Sequence, residues 1–216
     1  MKPALRYLAI LVVFAFAVVA GWRVVGQMQA ERYAQADPER ALGWRPDHPQ
    51  ALLVLAERQL AEGRFAESQA NARRLLAHEP LQGVAFRLLA DAADREGRRD
   101  DAFRLYLIAE KRAPRDLQTR AWLTQRYLER GDFAKALDQV DRILRMAPQR
   151  ARSINPVLAQ LAKDPAFAEA LAAKLRQGPP WRAGLLNSLR DPKAGNPVAV
   201  GRVMQALQNR GNRGGG

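Results

Sequence analysis

The sequence predicts an all-α chain in which helical hairpins stack into a solenoid behind a membrane-spanning amino-terminal helix. Three observations predict it. Pro46, Pro80, Pro114 and Pro148 stand 34 residues apart each time, and Gly63, Gly97 and Gly131 recur with the same step, each 17 residues before the next proline. Apolar residues precede each glycine at helical spacing: Leu52, Leu55 and Ala56, then Phe86, Leu89 and Ala90, then Leu123 and Tyr127. The third observation is an uncharged, strongly apolar run of 16 residues from Tyr7 to Trp22.

That run defines the first element. A 16-residue helix rises about 24 Å, short of a hydrocarbon layer of roughly 30 Å. Arg6 and Arg23 extend it by snorkelling, and Tyr7 and Trp22 stand where an interfacial aromatic belt would place them. Residues 1–26 are therefore expected to be a membrane anchor. A cleaved signal peptide is the alternative, with Val18-Val19-Ala20 before Gly21 as the cleavage site. Lys2 and Arg6 precede the span, so the positive-inside rule keeps the start cytoplasmic and sends the rest across the membrane.

Residues 27–148 are expected to form the solenoid. Glu31–Pro46 read as the second helix of a partial first repeat, and three full repeats cover Pro49–Pro148. In each, the glycine supplies the positive φ that stops the first helix. Glu67 and Asp100-Asp101 suit the positive amino end of the second helix, and the proline then ends the unit. The small residues Ser68, Ala102 and Ala136 let the paired helices approach closely.

This pattern resembles the tetratricopeptide repeat (TPR) family over about half the chain. Departures occur at Arg120, which replaces a bulky apolar residue, and at Gln59 and Ala93, which replace the aromatic that Tyr127 retains. Leu75 and Ile143 stand where a small residue is usual. The resemblance implies partner binding along the face built from the first helices. Projected here, that face carries Gln50, Glu57, Arg87, Asp91, Asp94, Arg95, Gln118, Trp122 and Gln125, with Leu53, Val84, Leu88 and Ala121 between them. Trp122 is the natural anchor for a ligand chain if exposed, and Arg87 and Asp91 have the spacing to pair with each other. The Lys/Asn/Arg clamp by which some TPR domains hold acidic chaperone tails is absent, because its positions hold Gln50, Leu53, Val54, Glu57, Arg87 and Leu88.

After Pro148 the period is expected to stop. Residues 149–208 read as a helical cap, with stretches Ser153–Lys163, Pro165–Arg176, Trp181–Arg190 and Val198–Gln208. Asn155-Pro156, Asp164-Pro165, Gly178-Pro179-Pro180 and Asp191-Pro192 read as helix starts. The tail 209–216, NRGNRGGG, is expected to be disordered.

Composition narrows the function. A chain of 216 residues without Cys has no disulfide, thiol nucleophile, thiolate zinc site or Cys-ligated cluster. His48 and His78, the only histidines, sit at turn edges and cannot build a multi-histidine metal site. No GxGxxG, Walker, HExxH or GxSxG string occurs. The expected catalytic, metal and cofactor residues are accordingly none. Charge is uneven: +3 over residues 1–23, +3 over 24–150 and +7 over 151–216. The expectation is a non-enzymatic scaffold, anchored in a bacterial inner membrane with its carboxyl-terminal domain in the periplasm, binding protein partners of the cell envelope and no nucleic acid. It is similar to membrane-tethered TPR proteins that assist secretion, exopolysaccharide export or assembly of cofactor proteins. The alternative is a nucleic-acid- or polyanion-associated protein using the basic end.

Overall fold

The computed structural model describes residues 25–190 and 197–208. The expected anchor, the expected helix start at Asp191-Pro192 and the expected disordered tail lie outside the described residues, apart from the last two positions of the anchor segment. Among the described residues every regular element is helical, and no helix is long and apolar enough to cross a membrane. The chain divides at Ala113–Pro114 into two compact units. The third hairpin thus belongs with the carboxyl-terminal helices, whereas the sequence reading drew a boundary at 148.

The first unit holds α1 (helical over 25–33), α2 (Pro38–Trp44), α3 (Pro49–Ala61), α4 (Phe65–His78), α5 (Gly83–Arg95) and α6 (Arg99–Arg112). Residues 31–46, read as one helix, are broken in two. Asp37 and Pro38 cause the break: Pro38 has no N–H to donate, and the Asp37 carboxylate caps α2 by accepting from the Arg40 amide at 3.1 Å. α3 pairs with α4 and α5 with α6, and α5 also lies against α3 and α4. The pairing is close because small residues stand where the helices meet: Ala56, Ser68, Ala90 and Ala102 are fully buried, and the Ser68 hydroxyl donates to the Ala56 carbonyl at 2.8 Å. Leu88, Leu89 and Ala92 of α5 pack with Ala56, Leu60 and Ala72, while Ala85 meets Leu52 and Leu75.

The second unit holds α7 (Leu117–Glu129), α8 (Phe133–Met146), a 3-10 turn (Pro148–Arg150), α9 (Ala151–Leu161), α10 (Pro165–Arg176), α11 (Arg182–Arg190) and α12 (Pro197–Gln208). α7 pairs with α8, α10 lies against α8 and α12, and α9 packs chiefly on α11 and α12. Their common core includes Leu144, Phe167, Leu171, Leu175 and Leu185, with the Phe133 and Phe167 rings edge to face at 5.4 Å. Trp181 closes one side, its indole N–H donating to Asp141 at 2.8 Å.

Each helical hairpin turns the same way. Gly63, Gly97 and Gly131 have φ of 78°, 79° and 73°. In the first turn the Arg64 amide reaches the Gln59 carbonyl at 2.8 Å and the Gly63 amide reaches Leu60 at 3.2 Å, which satisfies the carbonyls the helix end leaves open. The same pair of bonds recurs at Arg98 and Gly97 and at Asp132 and Gly131. The helices before these glycines begin at 49, 83 and 117.

The 34-residue step does not stop at Pro148. α9 begins at Ala151, one step after α7. Asn155-Pro156 is not a helix start, since Pro156 lies inside α9. Pro156 is the sixth of the eleven residues of α9, so its missing N–H leaves the Arg152 carbonyl without its helical donor.

Candidate functional site

In the first unit the structure brings Glu57, Arg87 and Asp91 together. α3 and α5 lie side by side, one repeat step apart, so residue 57 of the first helix faces residue 87 of the next. The Arg87 guanidinium donates to Glu57 Oε1 at 3.0 Å and to Asp91 Oδ2 at 2.9 Å, the latter across one helical turn. Arg87 is only 7% exposed, so this pairing is screened less than a surface pair. Tyr106 of α6 joins from below, its hydroxyl donating to Asp91. Burial, followed by the Asp91 charge, pushes the Tyr106 phenol far above its ordinary value. The result is a cross-helix network, Glu57–Arg87–Asp91–Tyr106, that holds α3, α5 and α6 in one arrangement.

Gln50 and Arg95 remain exposed beside this network, and Asp94 is half-buried. Leu88, which the projection put on the face, is fully buried beneath it. At the end of α5, Glu96 accepts from Arg98 and from Gln69 at 3.0 Å, and the Arg98 hydrogen bond holds its carboxyl below the usual value. In the second unit α7 presents Gln118 and Gln125 to solvent. Gln125 donates to Glu129 at 3.0 Å, and Trp122 is half-buried rather than a free anchor.

The histidines have structural work. His48 caps α3 by accepting from the Ala51 amide at 3.3 Å through Nδ1, so Nε2 is left to donate to Glu31 at 3.0 Å. His78 pairs with Asp47 at 3.1 Å. Among the described residues, no group of three His, Asp or Glu side chains could hold a metal.

The sequence reading named Ala121 but missed the rest of a second surface. In the second unit an apolar groove of about 240 Å³ opens between α7, α8 and α9. Ala121 and Leu128 line it from α7, Val140 and Ile143 from α8, and Val157 and Leu161 from α9. Val157 is 55% exposed, and Arg150 stands at the groove as its one charged lining residue. The 34-residue step held a signal for this surface. Moved back by two steps, the α7 and α8 positions fall on Leu53, Leu60, Ala72 and Leu75, which α5 covers. Tyr106 was missed for a different reason: its reach to Asp91 depends on how α6 packs against α5, which no local pattern encodes.

No family model matches this chain, and no curated protein matches it.

Proposed function

We propose that the chain is a non-enzymatic scaffold of the TPR kind, which binds protein partners on the face formed by α3 and α5 and, in the other unit, by α7. The observation that carries this reading is the Glu57–Arg87–Asp91–Tyr106 network. Two carboxylates hold one buried guanidinium, and the Tyr106 phenol holds one of those carboxylates, which fixes the spacing of two adjacent first helices and leaves Gln50 and Arg95 exposed to meet a ligand. A preformed polar face of this sort lowers the ordering cost of binding. The apolar run Tyr7–Trp22 supports an inner-membrane anchor with the rest of the chain in the periplasm. An anchor confines the face to the membrane plane and raises its effective concentration towards a membrane-bound partner.

Two measurements test the proposal. A reporter fused after Gly216 is expected to be active only when it is an enzyme that matures in the periplasm; activity of a cytoplasm-only reporter overturns the topology. A photo-crosslinker at Gln50 or Arg95 in the full chain is expected to trap a discrete protein partner, and the charge reversal Arg95→Glu is expected to abolish that product. An adduct of the same intensity from Arg104, on the other helix of the hairpin, overturns the face.

A further inference from the structure

The groove of the second unit has a counterpart in the first that is filled. There, Leu60 and Ala72 are closed over by Leu88, Leu89 and Ala92, and Leu75 by Ala85. These four α5 residues stand at i, i+3, i+4 and i+7, the apolar stripe of one helix face. Two steps later the matching positions, half-buried Leu128 and buried Val140 and Ile143, line the cavity of about 240 Å³. The helix that arrives on the period, α9, packs chiefly on α11 and α12, so it forms the far wall of the groove instead of filling it. What the groove lacks is therefore the apolar face of one helix.

The charge around it selects which helix. Arg150 lines the groove, is exposed, and has no ion pair among the described residues. Over residues 150–163, the far wall and its approach, the charged side chains are Arg150, Arg152 and Lys163, with no acid. We infer that this groove is the seat for one acidic amphipathic helix of a partner protein, with small or aliphatic residues at i, i+3, i+4 and i+7 on the α7, α8 and α9 walls and a carboxylate on Arg150. The apolar stripe supplies the binding energy, and the carboxylate fixes the direction in which the helix lies. The inference rests on the scaffold reading in taking the occupant to be a protein; its residues share α7, Ala121 included, with the proposed face but none of α3 or α5.

The test uses the purified full chain in lipid nanodiscs and a dye-labelled synthetic helix with Leu and Ala at those four positions and Glu on its flanks. A twin peptide carries Lys in place of Glu. Fluorescence anisotropy is expected to show the acidic peptide binding with a Kd on the order of 10 μM and the basic twin at least about tenfold more weakly. Val157→Asp and Ala121→Glu, at exposed positions where the fold tolerates a polar side chain, are each expected to weaken the acidic peptide by about tenfold or more. Unchanged circular dichroism in these variants shows that the fold is kept, and Arg150→Glu is expected to reverse the preference between the twins. The inference is overturned by no binding, by equal binding of the twins, by Val157→Asp binding as wild type does, or by oleate occupying the groove while the peptide does not. Each of these failures leaves the crosslinking test of the α3 and α5 face intact, so the two readings fall separately.

Discussion

At the scale of single residues, two positions matter in ways their side chains do not advertise. Gly83 opens α5 against the end of α6, and a Cβ added there would stand 2.6 Å from both the Cβ and the amide nitrogen of Ala113. The obstruction is backbone, which cannot swing aside as a side-chain tip would. Gly83→Ala is expected to cost about 1–3 kcal/mol in urea denaturation. Gly43, inside α2 with nothing within 4 Å, supplies the contrast: Gly43→Ala is expected to gain about 0.5–1 kcal/mol. Equal responses would show that the end of α6 does not close in on Gly83. Tyr106 gives a pH prediction. Its phenol is raised in the folded chain, so its contribution is complete below the ordinary tyrosine value near 10 and is lost as the pH rises past it. Only the unfolded chain then ionises at this site, and stability falls by about 1.4 kcal/mol per pH unit from this group. Tyr106→Phe is expected to remove that part of the alkaline decline, read as the difference between variant and wild type in urea titrations from pH 9 to 11. Parallel curves would mean that the hydroxyl ionises as freely in the folded chain as in the unfolded one.

At the scale of elements, the hairpins were legible because their signals are local. A glycine at positive φ, a proline after the second helix and a stripe of small residues set the bounds of α3 to α8 without reference to anything distant. The chain from 151 onward was less legible: α9 keeps the 34-residue step, but Pro156 inside it mimics a start signal. The single helix read over Glu31–Pro46 differs for a similar reason, since Asp37-Pro38 splits it in two. On the candidate face, the Arg87–Asp91 pair was readable from spacing, whereas Tyr106 and the groove depend on which helices meet. Arg120 belongs to this class. It reads as a charged intruder at an apolar position, and it is 3% exposed. Its guanidinium donates to the Pro114 carbonyl through Nε at 2.9 Å and to Gln139 at 2.8 Å, tying the turn before α7 to α8. Hydrogen bonds from a charged donor at a buried site contribute about 1.5–3 kcal/mol, so Arg120→Ala is expected to lose at least that much. Arg120→Leu, which refills the space but takes the guanidinium away from the Pro114 carbonyl and Gln139 Oε1, is expected to recover only part of the loss. Full recovery in chemical denaturation would show that packing, not the hydrogen bonds, holds this turn.

At the scale of the whole molecule, the net charge of +13 is the property most open to misreading. Through the repeats, cations and acids are interleaved and many of them pair locally: Arg64 with Glu62 and Glu67, Arg98 with Glu96 and Asp101, Arg145 with Asp141. The excess is concentrated beyond residue 150, where ten basic side chains meet three acidic ones. Such an end attracts any polyanion, and attraction of that kind is salt-dependent by counterion release. A nucleic-acid-binding protein that neutralises 6–10 phosphates loses roughly 10³–10⁵ in affinity between 50 and 200 mM salt while retaining preference for its own sequence. The scaffold reading predicts the loss without the preference: the full chain should retain mixed-sequence and homopolymeric duplexes alike at 50 mM salt and neither at 200 mM. The helix bound in the apolar groove should weaken far less over the same range, because burial of aliphatic surface does not depend on released counterions. Running both ligands through one salt series therefore separates the two attractions on a single protein sample. Retention of one duplex over another at 200 mM would make the basic end a recognition surface in its own right, and the charge would then have to be explained as function rather than as a solvated terminus.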